Sequence, residues 1–335
     1  MTDAQENPNG SPQGVRNAHG ELPMSWIALA TYRRDGESRP AIVLDDRIYD
    51  LDAAARAAGA PAPEHWLRGG IGSMLDDWPR ASAWLKGVEA PAREAVGNSK
   101  LRAAGDAALA APFRPERIFC AASNYIEHAN EMGTVLAAKA ESKPYMFLKL
   151  RNAVLAPGGA IRMPPETSQL DWEIELAAVI GLSCRRIAAE RALDVVAGFS
   201  IVNDISARDL NVRSDYPFKF DWFQGKAHDT FAPFGPWIVP AWQVPDPQAV
   251  QLRLDVNGRT MQQDSTANMI WTVREQIAYL STIVTLEPGD VIATGTPTGV
   301  GMGRGIYLKD GDAIEATIAG IGTLANVVRA EAIER

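Results

Sequence analysis

Polar and apolar positions change their rhythm several times along this chain. The first 22 positions are rich in Gly, Asn, Gln and Pro and offer almost nothing to bury, so 1–22 is predicted to be a flexible tail. From Trp26, WIALATYRRDGESRPAIVLDDRIYDL carries short β-prone runs interrupted at Asp35-Gly36 and Asp45-Asp46, which predicts a small antiparallel meander. Residues 52 to about 110 are rich in Ala, Leu, Arg and Glu, and short helices are expected there, with breaks at Pro61, Pro63 and Pro91. Pro112 and Pro115 mark the expected boundary between a smaller N-terminal part, 23–112, and a larger part, 113–335.

The larger part is mostly strand-like, with the β-prone runs PYMFLKL, IELAAVIGL, AGFSIVNDI, QLRLDV and DVIATG. Asn257-Gly258 follows Leu252, Leu254 and Val256 at period two, a hairpin signal. Thr272 and Glu275 form a capping box ahead of Val273, Ile277 and Leu280 at helical spacing. The segment Asn124–Glu127 is expected to cap a short helix running through Met132. Strands do not alternate with long helices, which argues against a doubly wound sheet and for a mixed α/β, mainly β fold.

Composition narrows the function. Over 335 residues, 46% are hydrophobic and 22% charged, an ordinary globular balance. Lys plus Arg is 33 against 41 for Asp plus Glu, a net charge of -8, so nucleic acid is not an expected partner. No apolar run reaches the roughly 18 residues that span a bilayer, and no membrane partner is expected. Two cysteines, Cys120 and Cys184, exclude a disulfide scaffold and a Cys-rich zinc site. MTDAQENPNG lacks the basic start and apolar stretch of a secretory signal, so the expected location is cytoplasmic.

The segment Leu170–Leu176 carries the chemistry. In a strand, Asp171, Glu173 and Glu175 would share one face, with the two glutamates about 6.5–7 Å apart. Carboxylates at the edge of a core repel one another unless a cation lies between them. On pattern alone the plainer alternative is favoured, a solvated face of an edge strand. Asp204 tips the balance, because it ends the apolar run Val195–Val202, where an unpaired acid is costly. Three oxygen ligands without Cys suit Mg²⁺ or Mn²⁺. The alternative for Asp204 is a pair with Arg208, four residues on.

Four histidines are present: His19, His65, His128 and His228. His128 and Glu131 stand three apart on the predicted short helix, the spacing of a general base steadied by a carboxylate, or of an ordinary surface pair. Lys226 could neutralise an oxyanion, or be an exposed loop lysine. The Gly-rich stretch Thr294–Gly303 lacks a phosphate-loop pattern. It is expected either to receive a carboxylate on its hydroxyls and N–H groups or to be a sharp connection.

The pieces SNYIEHANEMG, DWEIELAAVIG, VNDISARDLN, GKAHDTFAPFGPW and DVIATGTPTGVG, in this order and spacing, resemble the fumarylacetoacetate hydrolase family. The resemblance is strong over about 113–335 and weak over 24–60. It implies a catalytic domain built as a mixed β-sandwich roll, a small N-terminal accessory domain, a homodimer, and Mg²⁺ or Mn²⁺. It implies metal ligands at Glu173, Glu175 and Asp204, and a water-activating dyad of His128 and Glu131. Lys226 and Arg208 would hold substrate oxygens, and Thr296 would meet the substrate carboxylate. Asn211 would be a polar substrate contact at a position where many relatives carry Gln, and His228 stands where relatives vary.

The resemblance implies hydrolysis of a carbon–carbon bond in a small-molecule β-diketo acid such as an acylpyruvate or fumarylpyruvate. The rivals are an isomerase, hydratase or decarboxylase of 2-oxo or 2-hydroxymuconate-type acids, and a binding module that lost turnover. Val135–Ser142 and Tyr216–Trp222 are the segments expected to select the acyl group.

Overall fold

The computed structural model describes residues 26–105 and 107–332. The expected tail, with His19, lies outside them. The meander forms as the spacing predicts, with Ile27–Arg34, Glu37–Leu44 and Arg47–Asp50 pairing antiparallel. Its two turns need left-handed backbone, which Asp35-Gly36 (φ 53° and 80°) and Asp45-Asp46 (φ 48° and 67°) adopt.

Asp50 then caps the helix Leu51–Ala57 by accepting the Ala53 N–H at 3.0 Å. Helices Glu64–Asp76 and Trp78–Gly97 follow. Pro91 does not break the chain as expected but lies inside the last of these. The buried stripe Leu85, Val88, Ala92 and Ala95 continues across it, and that packing outweighs the one hydrogen bond a proline forfeits.

The main sheet is ordered 47–50, 37–44, 27–34, 232–240, 196–203, 174–180, 291–293, 118–122, 145–149. Neighbours along this path are antiparallel except 291–293 and 118–122. Leu29 sits opposite Ile238, so one sheet runs across the expected boundary near residue 112.

Alternation along the strands divides the core in two. Ile27, Leu29, Ala177, Val179 and Ile238 join Trp66, Met74 and Leu85 of the helices. Ala28, Tyr32, Leu176, Ala178 and Val239 join residues of a second, five-stranded sheet ordered 259–265, 251–256, 313–318, 322–330, 160–163. Its hairpin turns at Asn257-Gly258 (φ 51° and 74°), as predicted.

The helix Val273–Ile283 covers the same side, with Ile277 and Leu280 in that core. It opens with the predicted capping box: Thr272 Oγ1 accepts the Glu275 N–H at 3.2 Å, and Glu275 Oε2 accepts the Thr272 N–H at 2.8 Å. The fold is mixed α/β and mainly β. Among the described residues no helix is long and apolar enough to cross a membrane.

Candidate metal centre and active site

The strand expected over 170–176 is broken in the middle. Leu170–Asp171 pairs with Ser206–Ala207, and Ile174–Ile180 belongs to the main sheet. At the break the N–H groups of Glu173 and Ile174 donate to side chains, Asn203 Oδ1 at 2.9 Å and Gln262 Oε1 at 3.1 Å. The break separates the three acids that a regular strand would align. Asp171 accepts the Gly301 and Met302 N–H groups at 2.6 and 3.0 Å and pairs with Arg208 Nε at 2.8 Å. Glu173, Glu175 and Asp204 come together instead, each with an oxygen within 4.8 Å of the others. All three are buried, so the edge-strand alternative fails.

Asp204 does not pair with Arg208. Its partners are Lys226 Nζ at 2.8 Å and Lys149 Nζ at 2.7 Å. Lys226 also donates to Glu173 Oε2 at 2.8 Å, and it is buried, which removes the exposed-loop alternative. Arg208 Nη2 lies 2.5 Å from Glu173 Oε1. Lys149, which the sequence did not single out, donates to the carbonyls of Ile205, Lys226 and Phe231 at 2.8, 2.8 and 2.7 Å. Its one visible signal is a lysine ending the otherwise apolar strand Tyr145–Lys149.

Four buried carboxylates, counting Asp171, thus face three buried cations. Burial raises the pKa of Glu173, but Lys226, Arg208 and His128 more than offset it and hold the group well below the ordinary carboxylate range. Glu175 goes the other way: burial, then Asp204 and Glu173, push it well above. Its Oε2 accepts the Gly295 N–H at 2.7 Å, and its buried Oε1 has no hydrogen-bond partner among the described residues. That orphaned oxygen, a fourth carboxylate with no cation of its own and the all-oxygen donor set fit a hard divalent cation.

His128 and Glu131 lie on the helix Ile126–Glu131, with Nδ1 of the imidazole 2.9 Å from Glu131 Oε1. His128 is buried, unlike an ordinary surface pair. Asn124 does not cap this helix. It fixes the loop before it, accepting the Trp271 N–H and donating to the Trp271 and Thr294 carbonyls. Glu131 is held from behind by the Gly299 N–H at 2.9 Å. Burial raises its pKa, but the hydrogen bonds from His128 and Gly299 outweigh this and lower it.

Several N–H groups of the Gly-rich loop, expected to receive a ligand's carboxylate, are already taken by carboxylates of the chain. Gly295, Gly299, Gly301 and Met302 donate to Glu175, Glu131 and Asp171 of the chain itself. Thr296 is buried beside them; its hydroxyl donates to the Ile174 carbonyl at 2.9 Å and accepts from Gln262 Nε2 at 2.8 Å. Asn211 packs on Gly225, where a Cβ would lie 1.5 Å from its Oδ1, and that buried oxygen has no hydrogen-bond partner among the described residues. The His228 ring tilts against Phe231, 4.8 Å between centroids, and meets the Gln224 carbonyl at 2.6 Å. In the two segments expected to select the acyl group, Val135, Tyr216, Phe218 and Phe220 are all exposed.

Comparison with known proteins agrees with this architecture. A fumarylacetoacetate hydrolase from Exiguobacterium antarcticum is 32% identical with a TM-score of 0.72, covering 91% of this chain and 100% of its own. A maleylpyruvate hydrolase from Sphingobium sp. SYK-6, solved with manganese(II) and pyruvate, is 28% identical with a TM-score of 0.68 over 91% and 100%. A 5-carboxymethyl-2-hydroxymuconate delta-isomerase from Mycobacterium smegmatis is 29% identical with a TM-score of 0.66 over the same shares. The family profile described as fumarylacetoacetate (FAA) hydrolase C-terminal matches residues 117–329. That match spans well over half of the protein, and the chain belongs to the fumarylacetoacetate hydrolase family.

Proposed function

We propose that this enzyme hydrolyses a carbon–carbon bond in a β-diketo acid of the acylpyruvate type. The observation that carries the proposal is a buried triad of Glu173, Glu175 and Asp204 with a buried His128–Glu131 pair close enough for His128 to help lower the pKa of Glu173. The triad would hold Mg²⁺ or Mn²⁺. When bound, such an ion supplies a Lewis acid for a 2-oxo acid and lowers the energy of the departing enolate.

The chain's own residues do the rest. With Nδ1–H donated to Glu131, His128 keeps its Nε2 lone pair and takes a proton from water. The water oxygen attacks the distal carbonyl carbon. The carbon–carbon bond then breaks, its electrons pass to the pyruvate enolate carbon, and that carbon takes up the proton that His128 removed from water, which returns the imidazole to its starting state. The products are a carboxylic acid and pyruvate. Lys226 uses two of its three N–H donors on Glu173 and Asp204, leaving one for the oxyanion. Arg208, Asn211 and Thr296 are proposed to contact substrate oxygens; for Thr296 the hydroxyl proton must first leave the Ile174 carbonyl.

The second reading keeps the metal and the enolate but omits the hydrolytic attack of water on the carbonyl, giving an isomerase, hydratase or decarboxylase. Likeness to the delta-isomerase supports it. The His128–Glu131 pair favours hydrolysis, since isomerisation needs no activated water. The filled catalytic positions argue against an inactive binding module.

The proposal includes a homodimer in the cytoplasm, where the free thiols Cys120 and Cys184 stay reduced. A monomeric mass across a wide concentration range in light scattering would contradict the dimer. The function is tested with acylpyruvates, oxaloacetate, diketo sugar acids and muconate-type acids, with Mg²⁺ or Mn²⁺. Chelation should abolish turnover and either ion restore it; full activity after exhaustive chelation would sink the metal assignment.

A further inference from the structure

The acid cluster continues outward as a wall of aromatic rings. Two elements each bring one cluster lysine together with the aromatics of the wall. On the strand Tyr145–Lys149, alternate residues share a face, so Lys149, Phe147 and Tyr145 point the same way. Lys149 is fully buried against Asp204, Phe147 is half-buried and Tyr145 is 59% exposed. That gradient runs from the cluster towards solvent.

On the helix Trp222–Lys226 the two end residues are four apart and so lie on one face. Lys226 enters the cluster while Trp222 stacks on Phe147 at 4.8 Å and tilts against Tyr145 at 5.8 Å. Phe147 closes the join, with its ring 5.2 Å from Lys226 Nζ. Phe220 extends the wall, 6.4 Å from Trp222 and 64% exposed. The Trp222 Nε1–H is buried with no hydrogen-bond partner among the described residues, a donor the fold leaves unused.

We propose that this wall is the subsite for the distal acyl group and that the group it takes is an aryl ring. The proposal rests on the function proposed above, which puts the 2-oxo acid head on the acid cluster. From the attacked carbonyl, three further carbon–carbon bonds reach about 4 Å. A short acyl chain therefore ends on Phe147 and Trp222, not at the solvent rim. A carboxylate there would meet ring faces and lose its water. An aryl group stacks on the same rings, and an acetyl group is too small to reach past Phe147. Of the cations beside the rings, Lys149 is engaged by the cluster and Arg213 by Asp215 and Asp221, and the one donor left on Lys226 is turned to the oxyanion at the attacked carbonyl.

The test compares benzoylpyruvate, maleylpyruvate and acetylpyruvate with the Mn²⁺-loaded protein. Benzoylpyruvate should exceed both others in kcat/KM by about tenfold or more, mainly through KM. In Trp222→Ala the benzoyl-to-acetyl ratio should fall about tenfold, and Trp222→Phe, which keeps a ring, should retain most of it. An unchanged ratio in Trp222→Ala, or a preference for maleylpyruvate, overturns the subsite while leaving the hydrolase proposal standing. If Trp222→Ala alters only the oligomeric state, the wall is an interface and the subsite is likewise overturned. If no acylpyruvate is cleaved, the hydrolase proposal fails, and calorimetric binding of phenylpyruvate against pyruvate decides the subsite separately. Tighter binding of phenylpyruvate that Trp222→Ala removes supports it; equal binding overturns it.

Discussion

Lys149 makes more buried contacts than its place in the sequence suggests. It ends a short strand with a polar flank, so it reads as a solvent-facing lysine. Its three carbonyl partners, at residues 205, 226 and 231, are assembled only by the tertiary fold. Burial lowers its pKa, Asp204 opposes that, and Lys226 adds to the lowering. Replacing it with Met strands Asp204 Oδ1 and three carbonyls, so Lys149→Met should cost roughly 3–5 kcal/mol of stability. Urea unfolding measures this, and a loss below about 1 kcal/mol would contradict the account.

The carboxylates were legible for the opposite reason. An acid inside an apolar run is conspicuous wherever the chain goes, and Glu173, Glu175 and Asp204 all lie in or beside one. Asp171 was misread because the break before Ile174 depends on Asn203 and Gln262, which no local pattern reveals. For the dyad, His128→Ala should slow acylpyruvate hydrolysis by roughly two to four orders of magnitude. Glu131→Gln should be milder, and metal-dependent oxaloacetate decarboxylation should suffer less in His128→Ala. Near-normal hydrolysis in His128→Ala would move the isomerase or decarboxylase reading ahead.

Elements whose ends are written locally mostly matched expectation, the Asn124 cap being an exception because its amide is taken by Trp271 and Thr294, and those decided by packing did not. The turns at Asp35-Gly36, Asp45-Asp46 and Asn257-Gly258 and the Thr272–Glu275 capping box all appear where their residue types require them. Pro91 was misjudged because the stripe that carries the helix past it draws its energy from the sheet below. Thr272→Ala should cost about 1 kcal/mol, as for other lost N-caps. Burial raises the pKa of Glu275, but hydrogen bonds from Lys139 and Thr272 outweigh that and lower it from 4.5. A lowered carboxylate stabilises the fold above the unfolded-state pKa, and that contribution is lost as pH falls through the folded value. The melting-temperature gap between wild type and Glu275→Gln should therefore be full at pH 7 and shrink below about pH 4.5. A gap that widened on acidification would contradict the sign.

At the scale of the whole molecule, strand 27–34 docks on strand 232–240, inside the path of the main sheet. A sequence reader sees the prolines at 112 and 115 and divides the chain there, because the pairing partner is too distant for any local signal. A protein lacking residues 1–112 would expose the edge of 232–240 and the apolar face around Ala177, Val179 and Ile238. Such a truncation should aggregate or melt far below the full chain, as light scattering and calorimetry would record. A well-behaved fragment with an unchanged melting temperature would show that the sheet contact contributes little.

The same pairing has a consequence in time. Leu29 leaves the ribosome ahead of its partner Ile238, which follows about 200 residues later. At roughly 5–20 residues per second the ribosome needs about 10–40 s to close that interval. Residues 109–110 cover that edge at Thr31 and Tyr32 well before then, but around Leu29 the nascent meander keeps an open edge and an uncovered apolar face for the whole interval. Birth of this enzyme is therefore a waiting problem, in which chaperones that shield strand edges matter most before the last third of the chain emerges.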